Sequence, residues 1–279
     1  MAINFDDMLV NEGGGTLIVD ALNLAFRWKH RGETDFRYKY QQTVHSLAKS
    51  YNCDQVIITA DWGSSSYRKE IDGDYKQNRA EKIAKQTEKE KMDFEEFISE
   101  YEETLSLLQS DYRILRFRGV EADDIAAHLV KHRDKYDLGT IWLVSSDRDW
   151  DLLIQEGVSR FSYVTRKETT IDTWKDQYDV PQEEYISLKC LTGDSGDNVA
   201  GIPGIGPKRA SSLIRDYGSA FEIYDAIPIN SKYKYIQSLN ENAERILVNY
   251  QLMDLITYCD DAIGADNVSA IQEIMGVAA

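Results

Sequence analysis

The sequence predicts an α/β protein: a central, mainly parallel sheet flanked by helices, followed by a helical C-terminal region. Three observations predict it. Short, near-continuous apolar runs recur along the N-terminal part, and such runs suit strands covered on both faces. Amphipathic stretches of helical period separate them, such as Tyr40 to Tyr51 and Ala122 to His132. After about residue 180 the runs give way to helical periodicity with glycine punctuation.

The elements follow in order. Residues 1–15 end in Gly-Gly-Gly and read as a loose arm. Thr16-Leu17-Ile18-Val19 is a β-branched run that stops at Asp20, and Val56-Ile57-Ile58-Thr59-Ala60 stops at Asp61. Residues Arg79 to Lys91 contain good helix formers but almost no apolar stripe, so that helix is expected to be exposed and mobile. From Phe94 the pattern turns amphipathic through Phe97, Ile98, Tyr101, Leu105 and Leu108, and should dock on the body. Arg113 to Phe117 is a weaker strand followed by Glu121, Asp123 and Asp124. Thr140-Ile141-Trp142-Leu143-Val144 runs through two serines to Asp147 and Asp149. In open α/β sheets ligands bind outside the carboxyl ends of the strands, so these acids should gather at one edge.

Composition narrows the class. The chain has 279 residues, 42% hydrophobic and 29% charged, enough for one large domain or two small ones. No apolar run is long enough for a membrane helix, and the N-terminus lacks the basic start and apolar core of a signal peptide. Cys53, Cys190 and Cys259 are scattered without ligand spacing, which points to a reducing, cytoplasmic compartment. The net charge of −16, taken alone, argues against a nucleic-acid partner, because phosphate neutralisation needs Lys and Arg. What decides the matter is where the charges sit.

The candidate acids are Asp20, Asp61, Glu121, Asp123, Asp124, Asp147, Asp149, Asp194 and Asp197. A single aspartate after a strand is usually a cap or turn residue. A set of them in one cleft repels itself unless cations bind, and oxygen ligands without His or Cys select Mg²⁺ or Mn²⁺. Two such ions can activate a water and stabilise the leaving oxygen of a phosphodiester. Glu121 and Asp124, spaced i, i+3, share a helical face; Asp194 and Asp197 have the same spacing. Asp147 and Asp149 point the same way if the chain is extended there. The tract Asp147-Arg148-Asp149-Trp150-Asp151 mimics a calcium loop, but Leu152 and Val158 stand where that loop needs Gly and Glu. A phosphatase Asp-x-Asp nucleophile would leave the other acids unused. His128 and His132 are i, i+4 on a helix, but the sequence suggests no third zinc ligand.

Beside the last acids lies Gly204-Ile205-Gly206-Pro207-Lys208-Arg209, opening an apolar periodic helix. Glycines allow close backbone approach, Pro207 suits a first helical turn, and a helix N-terminus presents free N–H groups to phosphate. Such a turn is also a common helix connector. Residues 201–215 hold Lys208, Arg209 and Arg215 and no acid, which favours phosphate contact by Gly204, Gly206, Lys208 and Arg209 in a helix-hairpin-helix. Tyr75, Lys76 and Arg79 offer a stacking face and two cations, or else a solvated basic face. Arg27, Lys29 and Arg31 extend a phosphate path.

Taken together, the motifs resemble the structure-specific 5′-nuclease family, the flap endonucleases, and among them the free-standing enzymes of tailed bacteriophages. These are relatives of the 5′-nuclease domain of bacterial DNA polymerase I. The matching motifs are IVDALN at Asp20, TADWG at Asp61, DYKQNR, RGVEADDIAA, SSDRDWDLL and GDSGDNVAGIPGIGPKRA, in family order over residues 16–260. The resemblance implies a nuclease core over 16–180 with a helical arch near 76–110 that threads a 5′ single strand. It implies a helical region over 181–279 with its helix-hairpin-helix near 190–218. Asp20, Asp61, Glu121, Asp123 and Asp124 would serve a first divalent metal, and Asp147, Asp149, Asp194 and Asp197 a second. Lys76 would approach the scissile phosphate and Arg79 would hold the substrate. A potassium ion is expected in the helix-hairpin-helix turn. The expected substrate is branched DNA with a 5′ flap or overhang, or an RNA–DNA primer near a junction, cut by a monomer in the cytoplasm, the host's if the chain is phage-encoded. The rival readings are a catalytically silent junction binder, a ribonuclease with a similar acidic site, and an acidic scaffold.

Overall fold

A computed structural model of the chain describes residues 14–277, so nearly all of the arm over residues 1–15 lies outside the described residues. Strand β1 (Gly15–Asp20) is buried along its whole length. Ile18 packs into one apolar cluster, Leu17 and Val19 into another on the opposite face. That is the burial a central parallel strand needs, and it accounts for the unbroken apolar run.

The remaining strands are β2 (Cys53–Thr59), β3 (Arg113–Leu115), β4 (Ile141–Val144), β5 (Val158–Ser162) and β6 (Lys167–Thr169). They form one sheet in the order β3-β2-β1-β4-β5-β6. All neighbours are parallel except β5 and β6. The chain therefore winds outward from β1 through β2 to β3, then returns to place β4 on the other side of β1. The reversal opens a crevice at the carboxyl ends of β1 and β4, where such sheets bind ligands.

Helices α1 (Ala21–Lys29) and α2 (Arg37–Ser50) cover one face. After α3 (Ser66–Ile71), the segment expected to be polar forms α4 (Gln77–Ala84), which buries no residue. A break follows, and α5 (Glu88–Leu108) starts with a capping box between Thr87 and Glu90. From Phe97 it docks on α2 through Tyr101, Leu105 and Leu108, as the periodicity anticipated. Helix α6 (Ala122–Lys131) covers the other face.

The C-terminal part is helical, as expected: α7 (Tyr185–Thr192), α8 (Pro207–Tyr217), α9 (Ala220–Asp225), α10 (Lys234–Glu241), α11 (Glu244–Met253), α12 (Leu255–Ile263) and α13 (Ala265–Ile274). A small antiparallel ribbon, β7 (Gly193–Asp194) with β8 (Val199–Ala200), joins α7 to α8. Gly193 has φ +68°, and a Cβ there would lie 2.5 Å from the Val199 carbonyl oxygen. Only glycine allows that close a return of the backbone.

One buried pair ties the parts together. Arg68 on α3, 3% exposed, donates to both oxygens of Asp124 on α6, at 2.7 and 2.8 Å, and its Nε donates to the Leu252 carbonyl on α11 at 2.7 Å. Removing one member of such a pair leaves a buried charge unmatched. Arg68→Ala is expected to lower unfolding free energy by about 3–5 kcal/mol in urea titration, and Arg68→Met with Asp124→Leu should recover much of it. A loss below about 1 kcal/mol in the single variant would show that the pair does not anchor α3.

Candidate active site

Asp20 ends β1 and caps α1. Its Oδ1 accepts the Asn23 amide at 3.1 Å, and its Oδ2 accepts the hydroxyl of Ser145, just past β4, at 2.9 Å. The bond spans the crevice between the two strands. Asp61 lies just past β2, and its Oδ1 accepts the Ala122 amide at 2.8 Å, which holds it over the start of α6. Glu121 precedes α6 and accepts the Ser65 amide at 3.1 Å, the Tyr75 hydroxyl at 3.0 Å and the Lys76 ammonium at 2.8 Å. Asp123 accepts Trp150 Nε1 at 2.6 Å. Asp147 caps a short 3-10 turn, Arg148–Leu153, and Lys189 Nζ bridges Asp149 at 2.7 Å and Asp194 at 3.1 Å. Asp197 meets the Tyr75 hydroxyl at 2.9 Å and Arg79 at 2.5 Å.

Eight of the nine candidate acids thus converge. Glu121, Asp123, Asp149, Asp194 and Asp197 line one small cavity with Arg68 and Tyr75. Asp61 and Asp147 stand close enough to Asp20 to raise its pKa.

Four expectations are corrected. Asp124, expected at a metal, is fully buried and gives both oxygens to Arg68, so it is a structural anion. Tyr75, expected to stack on a base, is 4% exposed with its hydroxyl between Glu121 and Asp197. Asp147 and Asp149 are not in an extended segment: the Asp149 amide donates to Asp147 Oδ1 at 2.9 Å in the 3-10 turn. Asp194 and Asp197 share a turn after β7 rather than a helical face, with the Gly196 amide donating to Asp194 at 2.7 Å.

Sequence reasoning missed Lys189, Ser145, Trp150 and Arg68. Lys189 had a signal, a lone charge in the otherwise uncharged helix YISLKCLT. Asp151, the last acid of the apparent calcium loop, faces inward and is matched by both arms of Arg160 at 2.6 and 2.9 Å.

The charges are unevenly matched. Glu121, Asp149, Asp194 and Asp197 each carry a lysine or arginine partner. Asp20, Asp61, Asp123 and Asp147 have no cationic partner within 4 Å among the described residues. Burial, then Asp61, pushes Asp20 up to about 8. Burial, then Asp147 and Asp20, raises Asp123 well above the carboxylate range, and burial with Glu121 raises Asp61. Burial and Asp147 push Asp149 up to about 6 despite Lys189. Burial alone would raise Glu121 too, but Lys76 and Arg68 outweigh it and hold the group below its usual range.

Of the candidate phosphate contacts, Lys76 and Arg79 pair with acids of this centre. Lys76 takes a left-handed backbone, φ +57°, at the start of α4. Gly204 turns with φ +81° and its carbonyl accepts Arg209 Nη1 at 2.5 Å; Gly206 caps α8 with Pro207 at its first position, and Lys208 is exposed. Arg27 lies over the Tyr163 ring at 4.0 Å in a cavity that also presents Arg31 and Arg166. Lys29 lies over Phe94 at 4.0 Å.

The raised acids make a pH prediction. The folded chain holds a proton on Asp20 between its ordinary value of 3.8 and about 8, where the unfolded chain has released it. Stability conferred by protonation is therefore lost as pH rises through that window. In EDTA, unfolding free energy should fall between pH 6.5 and 8, above the range of the lowered His128, and Asp20→Asn should flatten the slope. A slope identical in wild type and Asp20→Asn would contradict this assignment.

Comparison with known proteins places the chain in a family. Residues 15–180 match the family model "5′-3′ exonuclease, N-terminal resolvase-like domain", and residues 180–273 match "5′-3′ exonuclease, C-terminal SAM fold". The flap endonuclease of Escherichia phage T5 is 43% identical over 252 residues, 89% of this chain and 86% of that protein. A solved structure of T5 5′-exonuclease with divalent zinc superposes with TM-score 0.90 at 40% identity, covering 94% of this chain and 99% of that one. A T5 flap endonuclease pseudo-enzyme–product complex with DNA and metal ions gives TM-score 0.89 at 40% identity, with the same coverage. The chain belongs to the 5′-3′ exonuclease family of nucleases.

Proposed function

We propose that this protein is a divalent-metal-dependent 5′→3′ exonuclease and structure-specific flap endonuclease that hydrolyses phosphodiesters of branched or 5′-overhang DNA. One observation carries the reading: Asp20, Asp61, Asp123 and Asp147 are gathered at the crevice between β1 and β4 with no cation within 4 Å of any of them among the described residues. Four carboxylates in one such crevice fit a divalent ion, and an all-oxygen donor set selects Mg²⁺ or Mn²⁺. The relatives support this in their own names, as a flap endonuclease and as structures holding divalent metals and DNA.

The donors fall into two groups. Asp20, Asp61, Glu121 and Asp123 would hold a first ion; Asp147, Asp149, Asp194 and Asp197 a second. Bound ions supply an activated water and charge neutralisation at the phosphate. The chain's residues do the rest. Ser145, the Ala122 amide and Trp150 fix the carboxylates of Asp20, Asp61 and Asp123. Lys76 and Arg79 stand at the base of α4, the start of the proposed arch over 76–110, tethered to Glu121 and Asp197. From there both cations would be placed to meet a phosphate. Gly204, Gly206, Lys208 and Arg209 would grip the duplex backbone, and the same turn would hold a potassium ion. Arg27 extends the backbone path. The units proposed are a nuclease core over 16–180 and a helical region over 181–279, acting as a monomer. No helix of the described residues is long and apolar enough to cross a membrane. A silent junction binder would need acids missing from the site, and the eight that converge there are all present.

A 5′-labelled flap duplex tests the reading. Wild type should release a short labelled fragment with Mg²⁺ and none with EDTA, and Asp147→Asn should lose or greatly slow this. Absence of cleavage with tight binding in Ca²⁺ would demote the protein to a junction binder. Lys76→Ala should lower the single-turnover rate on the order of 10²-fold, with binding little changed. Lys208→Ala with Arg209→Ala should instead weaken binding on any sequence and reduce the salt slope by about one for each phosphate no longer neutralised. An unchanged slope would remove that turn from the interface.

A further inference from the structure

Helix α6 carries the proposed catalytic acids at its first turn and two histidines at its last. The sequence offered His128 and His132 no further ligand, but the fold brings α12 alongside and supplies two. His128 is 1% exposed, and its Nδ1 lies 2.6 Å from Asp260 Oδ1. Its other ring nitrogen, Nε2, meets the Tyr136 hydroxyl at 2.7 Å. Cys259 Sγ is 3.7 Å from Asp260 Oδ1. One ligand atom from each of His128, Cys259 and Asp260 lies within 4.8 Å of the others.

We propose that His128, Cys259 and Asp260 bind one transition-metal ion of the zinc class, at a site separate from the carboxylate centre and independent of the nuclease reading. Zinc binds nitrogen at about 2.0 Å and sulfur at about 2.3 Å, so tetrahedral donors stand about 3.3–3.8 Å apart. The 3.7 Å sulfur–oxygen spacing matches, and the 2.6 Å nitrogen–oxygen contact has only to open. Tyr136 on the far nitrogen is the outer partner that orients a ligating imidazole. The mixed nitrogen, sulfur and oxygen set favours zinc or cobalt over magnesium, the reverse of the carboxylate centre. A cavity of about 530 Å³ lined by His128, His132, Asp260 and Gly264 gives access and room for a fourth ligand from solvent. His132 Nε2 lies 3.3 Å from both oxygens of Asp260 and steadies them from the cavity side. Lys131, 2.9 Å from Asp260 Oδ2, is the competing cation, and its partly exposed side chain is free to swing into water. Binding releases the Cys259 proton to solvent as the thiolate–metal bond forms.

The test titrates Co²⁺ into the full chain under reducing conditions and excess Mg²⁺, and follows thiolate-to-cobalt absorption in the near ultraviolet. The expected result is one cobalt per chain with that band, displaced by Zn²⁺, unaltered in Asp149→Asn and lost in Cys259→Ser. Because Cys259 is buried, Asp260→Asn on the partly exposed side provides a second variant, expected to weaken cobalt binding at least about tenfold while circular dichroism is unchanged. No thiolate band in wild type overturns the proposal. So does a band that survives Cys259→Ser, which would place the metal on Cys53 or Cys190, or unchanged affinity in folded Asp260→Asn.

Discussion

Four clustered carboxylates with no salt-bridged cation among the described residues are the constraint on which the rest of this structure depends. Burial and neighbouring carboxylates raise Asp20, Asp61 and Asp123 there, so their ionisation calls for something cationic to join them. The fold holds them there regardless, through hydrogen bonds that leave charge unneutralised: Ser145 to Asp20, the Ala122 amide to Asp61, Trp150 to Asp123. Stability for this arrangement comes from elsewhere, from a β1 buried along both faces and from the matched pairs Arg68–Asp124 and Arg160–Asp151. The arginine-matched acids Asp124 and Asp151 belong to the frame, and the unmatched ones to the crevice.

Between these extremes stand the lysines. Lys189 joins Asp149 to Asp194, and Lys76 joins Glu121 to Asp197. Each holds acids from distant parts of the chain together: the turn after β4 with the ribbon after α7, and the start of α6 with that same ribbon. Lys76 does so from the first residue of the proposed arch, in a left-handed conformation uncommon for a side chain of its size. The arch and the acidic centre are thus mechanically linked before any substrate arrives.

Much of this was legible in the sequence. Apolar runs ending in aspartate located β1, β2 and β4, and the rule that sheets bind ligands at their carboxyl edge gathered the acids before any side-chain geometry was known. The change of pattern at Phe94 marked where α5 docks. What spacing does not encode is side-chain direction at a helix start or in a turn. Glu121 and Asp124 look equivalent at i, i+3, yet one faces the crevice and the other enters the core toward Arg68, 56 residues away. Tyr75 beside Lys76 reads as a stacking platform until its hydroxyl is seen to be held by two acids. The partners that decide these cases, Arg68, Trp150 and Lys189, sit in other elements and acquire meaning only when the chain is folded. The same holds for Cys259 and Asp260, which no spacing connects to His128.

If the unmatched carboxylates are the metal site, protons must leave when the metal enters, because burial and neighbouring acids push Asp20 up to about 8. Calorimetric titration of Mg²⁺ at pH 7 in buffers of different ionisation enthalpy measures this directly. The account predicts net proton release on binding, reduced in Asp20→Asn. Binding with no proton release, or release unaltered by that substitution, would contradict it.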